Sequence, residues 1–310
     1  MSRRRTSVLV LVGAIVASGI AWSSLGGINV ASGQTPTPST EIHRAHAGAY
    51  APEPGKPIFL LLLGSDSGAH RYGRGGRQDR GRSDSIHIVA INPKLGKATI
   101  VGIPRDSFVP IPGHGTHKIN AAMFFGGPQL TVATVEQMSG IRFDYYMLTN
   151  FADFADMGTE FGGLTIRVPY AMNDHHSRAH FPAGTQRLNG PQVLAFSRDR
   201  YDPPKGDFDR SLNQGSVLQA AQAQARKDLV VDPTKLLKYL QIIRRHVATD
   251  IPLTESLKLG LLALRLRPSV VTNVVLDGKT GATSDGSSVL LSSKAYATLH
   301  DVANDGVLGT

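Results

Sequence analysis

The stretch I58-FLLLLGSD-66 is a short, unbroken apolar run that ends in Gly-Ser-Asp. A run of that length without polar alternation predicts a strand covered on both faces, feeding a loop. The loop after it, 67–82, is rich in glycine and arginine. Two further runs follow, SDSIHIVAIN (83–92) and KATIVGIPRDS (97–107), joined by a Pro-Lys-Leu-Gly turn, and they predict a hairpin. Beyond them, Lys118–Ala122 begins a helical stretch, and a second helix is expected from Pro128 to Gly140. Strand 143–149, helix 150–161 and strand 164–168 come next. Residues 170–188 read as a polar loop. Helices are expected at 190–198, 209–227, 233–247 and 253–266, with a late strand at 269–276. Strands interleaved with helices imply an α/β fold: a central mixed β-sheet with helices on both faces, a three-layer α-β-α sandwich.

The N-terminus sets the surroundings of that domain. Arg3, Arg4 and Arg5 precede an uncharged apolar run at 8–25, VLVLVGAIVASGIAWSSL, of bilayer-spanning length. Residues 1–7 then form a cytoplasmic basic tail, 8–25 one transmembrane anchor, and the rest lies outside the cell membrane. A cleaved signal peptide is the competing reading. Residues 26–56, rich in small residues and proline, form a linker. Residues 57–276 form one large domain with a core of its own, and 277–310 a glycine- and serine-rich tail with an amphipathic stretch near 293–303. The chain has no cysteine, so its fold rests on its own core.

The net charge of +9 raises nucleic acid as a partner, and RYGRGGRQDRGR (71–82) resembles an RNA-binding tract. An outward-facing domain argues for no nucleic acid. His175, His176 and His180 share one loop but match no zinc spacing, and a solvated loop is the plainer reading. The sequence contains no Gly-x-Ser-x-Gly, P-loop or dinucleotide motif.

The chemistry concentrates in PQVLAFSRDRYDPPKGDFDRSLNQ (191–214) and at the strand ends. The first part has helical spacing and ends at Arg198. Pro203, Pro204 and Gly206 break the chain, and Asp209 suits the N-cap of a new helix on which Arg210 and Gln214 share a face. If the chain leaves its helix at Arg198, Arg198 and Arg200 reach one anion together. Guanidinium forks gathered in this way suit phosphate. The bland alternative is a solvated surface with ion pairs to Asp199, Asp202, Asp207 and Asp209. Asp66 and Asp84 end and open neighbouring strands. Two such carboxylates suit Mg²⁺, whereas for either acid taken alone a loop cap is the plainer reading. Arg82, two residues before Asp84, is expected on its side of the strand, and Arg105 and Asp106 follow the next strand.

Together these stretches resemble the LytR–CpsA–Psr family of cell-envelope proteins. The matching segments are LLLGSD (61–66), RSDSIHIVAINP (82–93), VGIPRDSF (101–108), HKINAAM (117–123), FGGLTIRV (161–168) and LNGPQVLAFSRDR through GDFDRSLNQ (188–214). The resemblance implies a Mg²⁺-assisted phosphotransferase that moves a glycopolymer from a polyprenyl-pyrophosphate carrier onto peptidoglycan. It puts Asp66 and Asp84 at the metal, and Arg82, Arg105, Arg198, Arg200 and Arg210 around the pyrophosphate, with Gln214 and Lys118 beside them. Asp66, Arg105 and Asp106 then carry catalysis, with Asp66 or Asp106 as general base. Asn213 stands where the family usually has arginine, and Met123 where an aromatic residue is common. A polyprenyl chain needs an apolar channel, and 58–63, 128–138 and 215–225 are its expected walls, unless they are ordinary core. Two alternatives use the same residues: a pyrophosphatase with water as acceptor, and a non-catalytic wall-binding or regulatory module.

Overall fold

The computed structural model describes residues 55–66 and 81–309. The expected membrane span, nearly all of the linker and most of the arginine–glycine loop lie outside the described residues. Among the described residues, no helix is long and apolar enough to cross a membrane.

In chain order the strands are β1 (Ile58–Ser65), β2 (Ser83–Asn92), β3 (Lys97–Gly102), β4 (Phe108–Ile111), β5 (Gly115–Lys118), β6 (Tyr145–Asn150), β7 (Leu164–Val168), β8 (Met172–Asp174), β9 (Ala179–Phe181), β10 (Gly184–Leu188), β11 (Ala248–Thr249), β12 (Val271–Val275), β13 (Gly278–Thr283) and β14 (Gly286–Leu291). The helices are α1 (Ala121–Ser139), α2 (Phe151–Glu160), α3 (Gly190–Arg198), α4 (Asp207–Val231), α5 (Lys235–His246), α6 (Leu253–Arg265) and α7 (Ser293–Asp305).

The central sheet has the order β11-β6-β1-β2-β3-β12. β1, β2 and β3 run antiparallel to one another, while β6 and β12 pair parallel to β1 and β3, so the sheet is mixed. Side chains alternate across it. Leu61, Leu63, Ile86, Ile88 and Val101 meet Val132 and Val135 of α1 and Leu299 and Val302 of α7. Leu60, Ile91, Ala98 and Tyr145 face Leu259 and Leu262 of α6 and the adjoining Leu266. Both faces are covered, which is why β1 carries no polar alternation.

Several expectations change. The stretch 170–188 is not a loop: β8 pairs with β9, and β10 pairs with β7. Their inward residues Met172, Ala179, Phe181 and Leu188 join Val193 and Phe196 in a second core. The sequence hides this because the strands are very short and their outward residues are polar. The stretch after 277 is not a loose tail. β13 and β14 form a hairpin, and α7 buries Ala295, Leu299 and Val302 in the main core. Its N-cap is Ser292, which accepts from the Ala295 amide. Lys118 ends a strand rather than starting a helix. The two helices expected around 118–140 are one, kinked at Gly126–Gly127, where φ reaches 70° at Gly127 before Pro128 restarts the turn. The helix carrying Arg210 begins at Asp207 behind Gly206, not at Asp209. Asp209 lies within its first turn and accepts from the Lys205 amide at 2.9 Å.

Candidate active site

The site begins with an irregularity in the β1–β2 ladder. Gly64 faces Ser85, but Ser65 faces Ser83, so Asp84 is an extra residue in β2. A bulge re-aims the side chains around it. Asp84 and Ser85 both line a cavity of about 380 Å³, whereas Arg82, just outside the strand, does not. The expectation that Arg82 and Asp84 share one side assumed an uninterrupted strand, and the bulge removes that premise. Asp66 and Arg82 instead meet through the backbone. The Asp66 amide donates to the Arg82 carbonyl at 3.1 Å, and the Arg82 amide donates to Asp66 Oδ1 at 2.6 Å. Asp66 therefore closes a loop as well as standing near Asp84.

A charge network spans the cavity wall. Arg105 binds Asp84, and its Nε lies 4.0 Å from Asp106 and 3.9 Å from Asp207. Arg210 binds Asp207, and Lys118 Nζ lies 3.8 Å from Asp106. Gln214 donates to the Ser197 carbonyl at 3.0 Å and to the Asp84 carbonyl at 3.4 Å, tying α4 to α3 and β2. The network is not saturated. Arg105 Nε, Arg210 Nε and both carboxylate oxygens of Asp207 are buried without a hydrogen bond, because the contacts approach off the bonding directions. Burial pushes the Asp207 carboxyl above the usual range, against the Arg210 charge. Desolvation, helped by the charge of Asp84, pushes Asp66 up too, against the hydrogen bond from Arg82.

Arg198 and Arg200 flank the point where α3 ends. Asp199 is extended, with φ −60° and ψ 126°, and is buried, while both arginines are exposed and line the cavity. The Asp199 carboxylate accepts from the Tyr201 and Asp202 amides and so holds the turn out of the helix. Arg198 lies 4.6 Å over the Phe151 ring, and Arg200 donates to the Tyr201 hydroxyl at 2.9 Å. Neither pairs with a carboxylate among the described residues, so of the expected surface ion pairs only Arg210–Asp207 forms here, and it is buried.

The other cavity wall is apolar: Leu62, Met147, Phe151, Phe154 and Leu218. Leu62, Met147 and Leu218 also line a second cavity, of about 1260 Å³, which lies between the sheet and α5 and α6. The expected walls at β1 and 215–225 contribute. The segment 128–138 does not, because α1 packs on the opposite face of the sheet. Asp66, Arg82, Asp106 and Lys118 line neither cavity and stand at the rim of the charge network. Sequence reasoning missed Phe151 and Phe154, which no motif marks, and Asp207 as a site residue. The signal for Asp207 was its place three residues before Arg210. It also missed His87, which is buried between Ser85 Oγ and the Ser211 carbonyl, each at 3.1 Å, and is pushed down to about 4 by burial.

Among the described residues no three His, Cys, Asp or Glu side chains gather as a metal cage. Mg²⁺ does not require one, since it takes one or two carboxylates and completes its shell with water and substrate phosphate. Asp66 and Asp84, close enough for mutual repulsion, fit that pattern.

The LytR_cpsA_psr family model matches residues 29–303. The teichoic acid transferase TagU of Bacillus mycoides (strain KBAB4), named as a polyisoprenyl-teichoic acid–peptidoglycan transferase, is 39% identical over 168 residues, covering 53% of this chain and 51% of that protein. The chain thus spans about half the length of such curated relatives. The crystal structure of B. subtilis TagV superposes with a TM-score of 0.70 at 26% identity, covering 81% of this chain and 97% of that one. The structure of TagT bound to LI-WTA gives 0.65 at 26% identity, covering 84% and 95%.

Proposed function

Because this chain belongs to the LytR_cpsA_psr family, we propose that it is a phosphotransferase that moves a glycopolymer from a polyprenyl-pyrophosphate carrier onto peptidoglycan and releases polyprenyl phosphate. The observation that carries the reading is one cavity with Asp84, Arg105, Arg198, Arg200, Arg210 and Gln214 on one side and an apolar wall on the other, a wall whose Leu62, Met147 and Leu218 it shares with a larger apolar cavity. A pyrophosphate with a long isoprenoid tail has that distribution of charge and grease.

The pyrophosphate lies against the arginines, whose forks accommodate its oxygens in pairs. Arg105 and Arg210 enter partly neutralised by Asp84 and Asp207, so they are held in position before substrate arrives. Arg198 and Arg200 bring positive charge without a carboxylate partner among the described residues. A hydroxyl oxygen of the acceptor sugar attacks the phosphorus bonded to the glycan. The bond from that phosphorus to the bridging oxygen breaks, and polyprenyl phosphate departs with the electron pair. Preorganised guanidinium groups stabilise the charge as it moves to the bridging oxygen. The hydroxyl proton passes to a carboxylate at the rim, Asp66 or Asp106. Asp66 and Asp84 would hold Mg²⁺, which supplies further charge neutralisation at the pyrophosphate when bound. The domain works outside the membrane, tethered by the run at 8–25.

The test incubates the protein with a glycan-linked polyprenyl pyrophosphate, with and without peptidoglycan. Transfer predicts polyprenyl phosphate and wall-bound glycan only when acceptor is present. Release of polyprenyl phosphate at the same rate without acceptor supports hydrolysis instead. An unchanged lipid under both conditions refutes catalysis.

A further inference from the structure

α5 and α6 line the larger cavity, and their outer surface is unusual. α5, KLLKYLQIIRRH, carries five basic side chains if His246 is included and no acidic one. Its outer side shows Leu237, Lys238, Arg244 and Arg245, with Leu237 47% exposed. Next to it, α4 ends in Val230 and Val231, which are 76% and 80% exposed. Leu253, at the start of α6, is 51% exposed and lines the cavity, as do Arg244 and Arg245. Soluble surfaces rarely strand two neighbouring valines in water beside a leucine and a run of cations.

The nearby acids do not cancel this charge. Asp228 accepts from the Gln224 amide and the Tyr239 hydroxyl, and Asp232 from Thr234. Glu160 is taken by Arg245 and His246, and Glu255 by Lys258. Lys227, Lys238 and Arg244 have no carboxylate partner among the described residues. α6 has a leucine-rich sequence, LTESLKLGLLALR, yet none of its residues is fully buried, because the helix roofs the cavity instead of filling it.

We infer that the outer surface of α5 with the adjoining ends of α4 and α6, which exposes Val230, Val231, Leu237 and Leu253 among Lys238 and Arg244, docks onto the anionic headgroups of a lipid leaflet, valines inserted, and so presents the large cavity to the bilayer. Cations beside exposed apolar side chains are what an interfacial lipid surface recognises. A soluble polyanion would use the cations but leave the valines in water, so the leaflet is the better match. The inference rests on the polyprenyl reading only for its purpose, which is to let an isoprenoid tail pass from membrane to cavity without crossing water.

The test exploits the absence of cysteine. Val231→Cys is introduced into the full chain and labelled with an environment-sensitive fluorophore. A control label at Tyr296→Cys sits on α7, across the sheet from α6. The protein is reconstituted into vesicles of phosphatidylcholine alone or with phosphatidylglycerol. Docking predicts a blue shift and quenching by spin-labelled lipid at Val231 in the anionic vesicles, and none at Tyr296. Lys238→Glu with Arg244→Glu should weaken the contact by at least about 25-fold, since each lost cation near an anionic surface costs about fivefold. Equal, unquenched signals at both labels overturn the inference. So does a Val231 shift reproduced by soluble polyphosphate without vesicles, which reassigns the patch to an anionic polymer. The readout needs no turnover, so an inactive protein that docks refutes only the catalytic reading, and an active one that does not dock refutes only this surface.

Discussion

Arg210 offers the sharpest separation of structure from catalysis. Its side chain is nearly buried and pairs with Asp207 one turn earlier on α4. Arg210→Met leaves a charge stranded in the interior. Removing one partner of a buried pair costs about 3–5 kcal/mol. In a domain of this size each kcal/mol lowers Tm by about 2–4 °C, so the variant should melt roughly 6–20 °C below the wild type. The double variant Asp207→Asn/Arg210→Met removes both charges. Replacing a whole buried pair with uncharged side chains is often neutral or stabilising, so it should recover to within about 1–2 kcal/mol of the wild type. Turnover should not recover. If Arg210 stabilises pyrophosphate charge in the transition state, its loss costs on the order of 10²–10³ in rate. The assay pairs thermal unfolding with release of polyprenyl phosphate, on the same samples. A double variant that turns over at the wild-type rate would refute the reasoning, because Arg210 would then serve only to neutralise Asp207.

Asp66→Ala and Asp84→Ala should each abolish Mg²⁺-dependent turnover while leaving the circular dichroism spectrum intact, and calorimetric titration with Mg²⁺ in the presence of substrate should lose its heat. Arg198→Lys and Arg200→Lys keep charge but lose the fork, so turnover should fall on the order of a hundredfold. Both side chains are exposed, so stability should move by no more than about 1 kcal/mol, and normal turnover in both variants would exclude this stretch from the pyrophosphate site. His246 sits between Asp153 and Glu160, at 3.1 and 3.0 Å. Burial opposes its protonation, but the two carboxylates outweigh that and hold its pKa above the ordinary value. A raised folded-state pKa means that the stabilisation is complete below the unfolded value near 6.5 and is lost as pH rises through the folded value. Melting temperature should therefore decline from about pH 6.5 upward, and His246→Gln should flatten that slope.

The reach of sequence reasoning follows the range of the interactions involved. The β2–β3 hairpin was readable because its turn and both strands are contiguous, and α3 because its period and its end at Arg198 lie within a few residues; its Asn189 cap came from the structure. The exit of the chain at Asp199 was inferred from the spacing of Arg198 and Arg200, and the extended dihedrals there agree with it. The strands between 170 and 188 were not readable. A three-residue strand such as β9 shows no period of its own, and its identity as strand comes from β8 beside it. α7 was reduced to an amphipathic stretch because nothing local says that Leu299 and Val302 meet Ile88 from the other end of the chain.

By itself the sequence determined the mixed α/β architecture, the family, and the set of residue types that gather around an anion. It did so because apolar period, turn chemistry and motif order are local properties. Only the tertiary structure decided how those residues divide. The bulge turns Asp84 into the cavity and leaves Arg82 at the rim. The fold brings Asp207 between Arg105 and Arg210, and places α1 on the far face, where it cannot line a channel. Each outcome depends on which surfaces of distant segments bury one another, and a linear pattern of side chains does not encode that pairing.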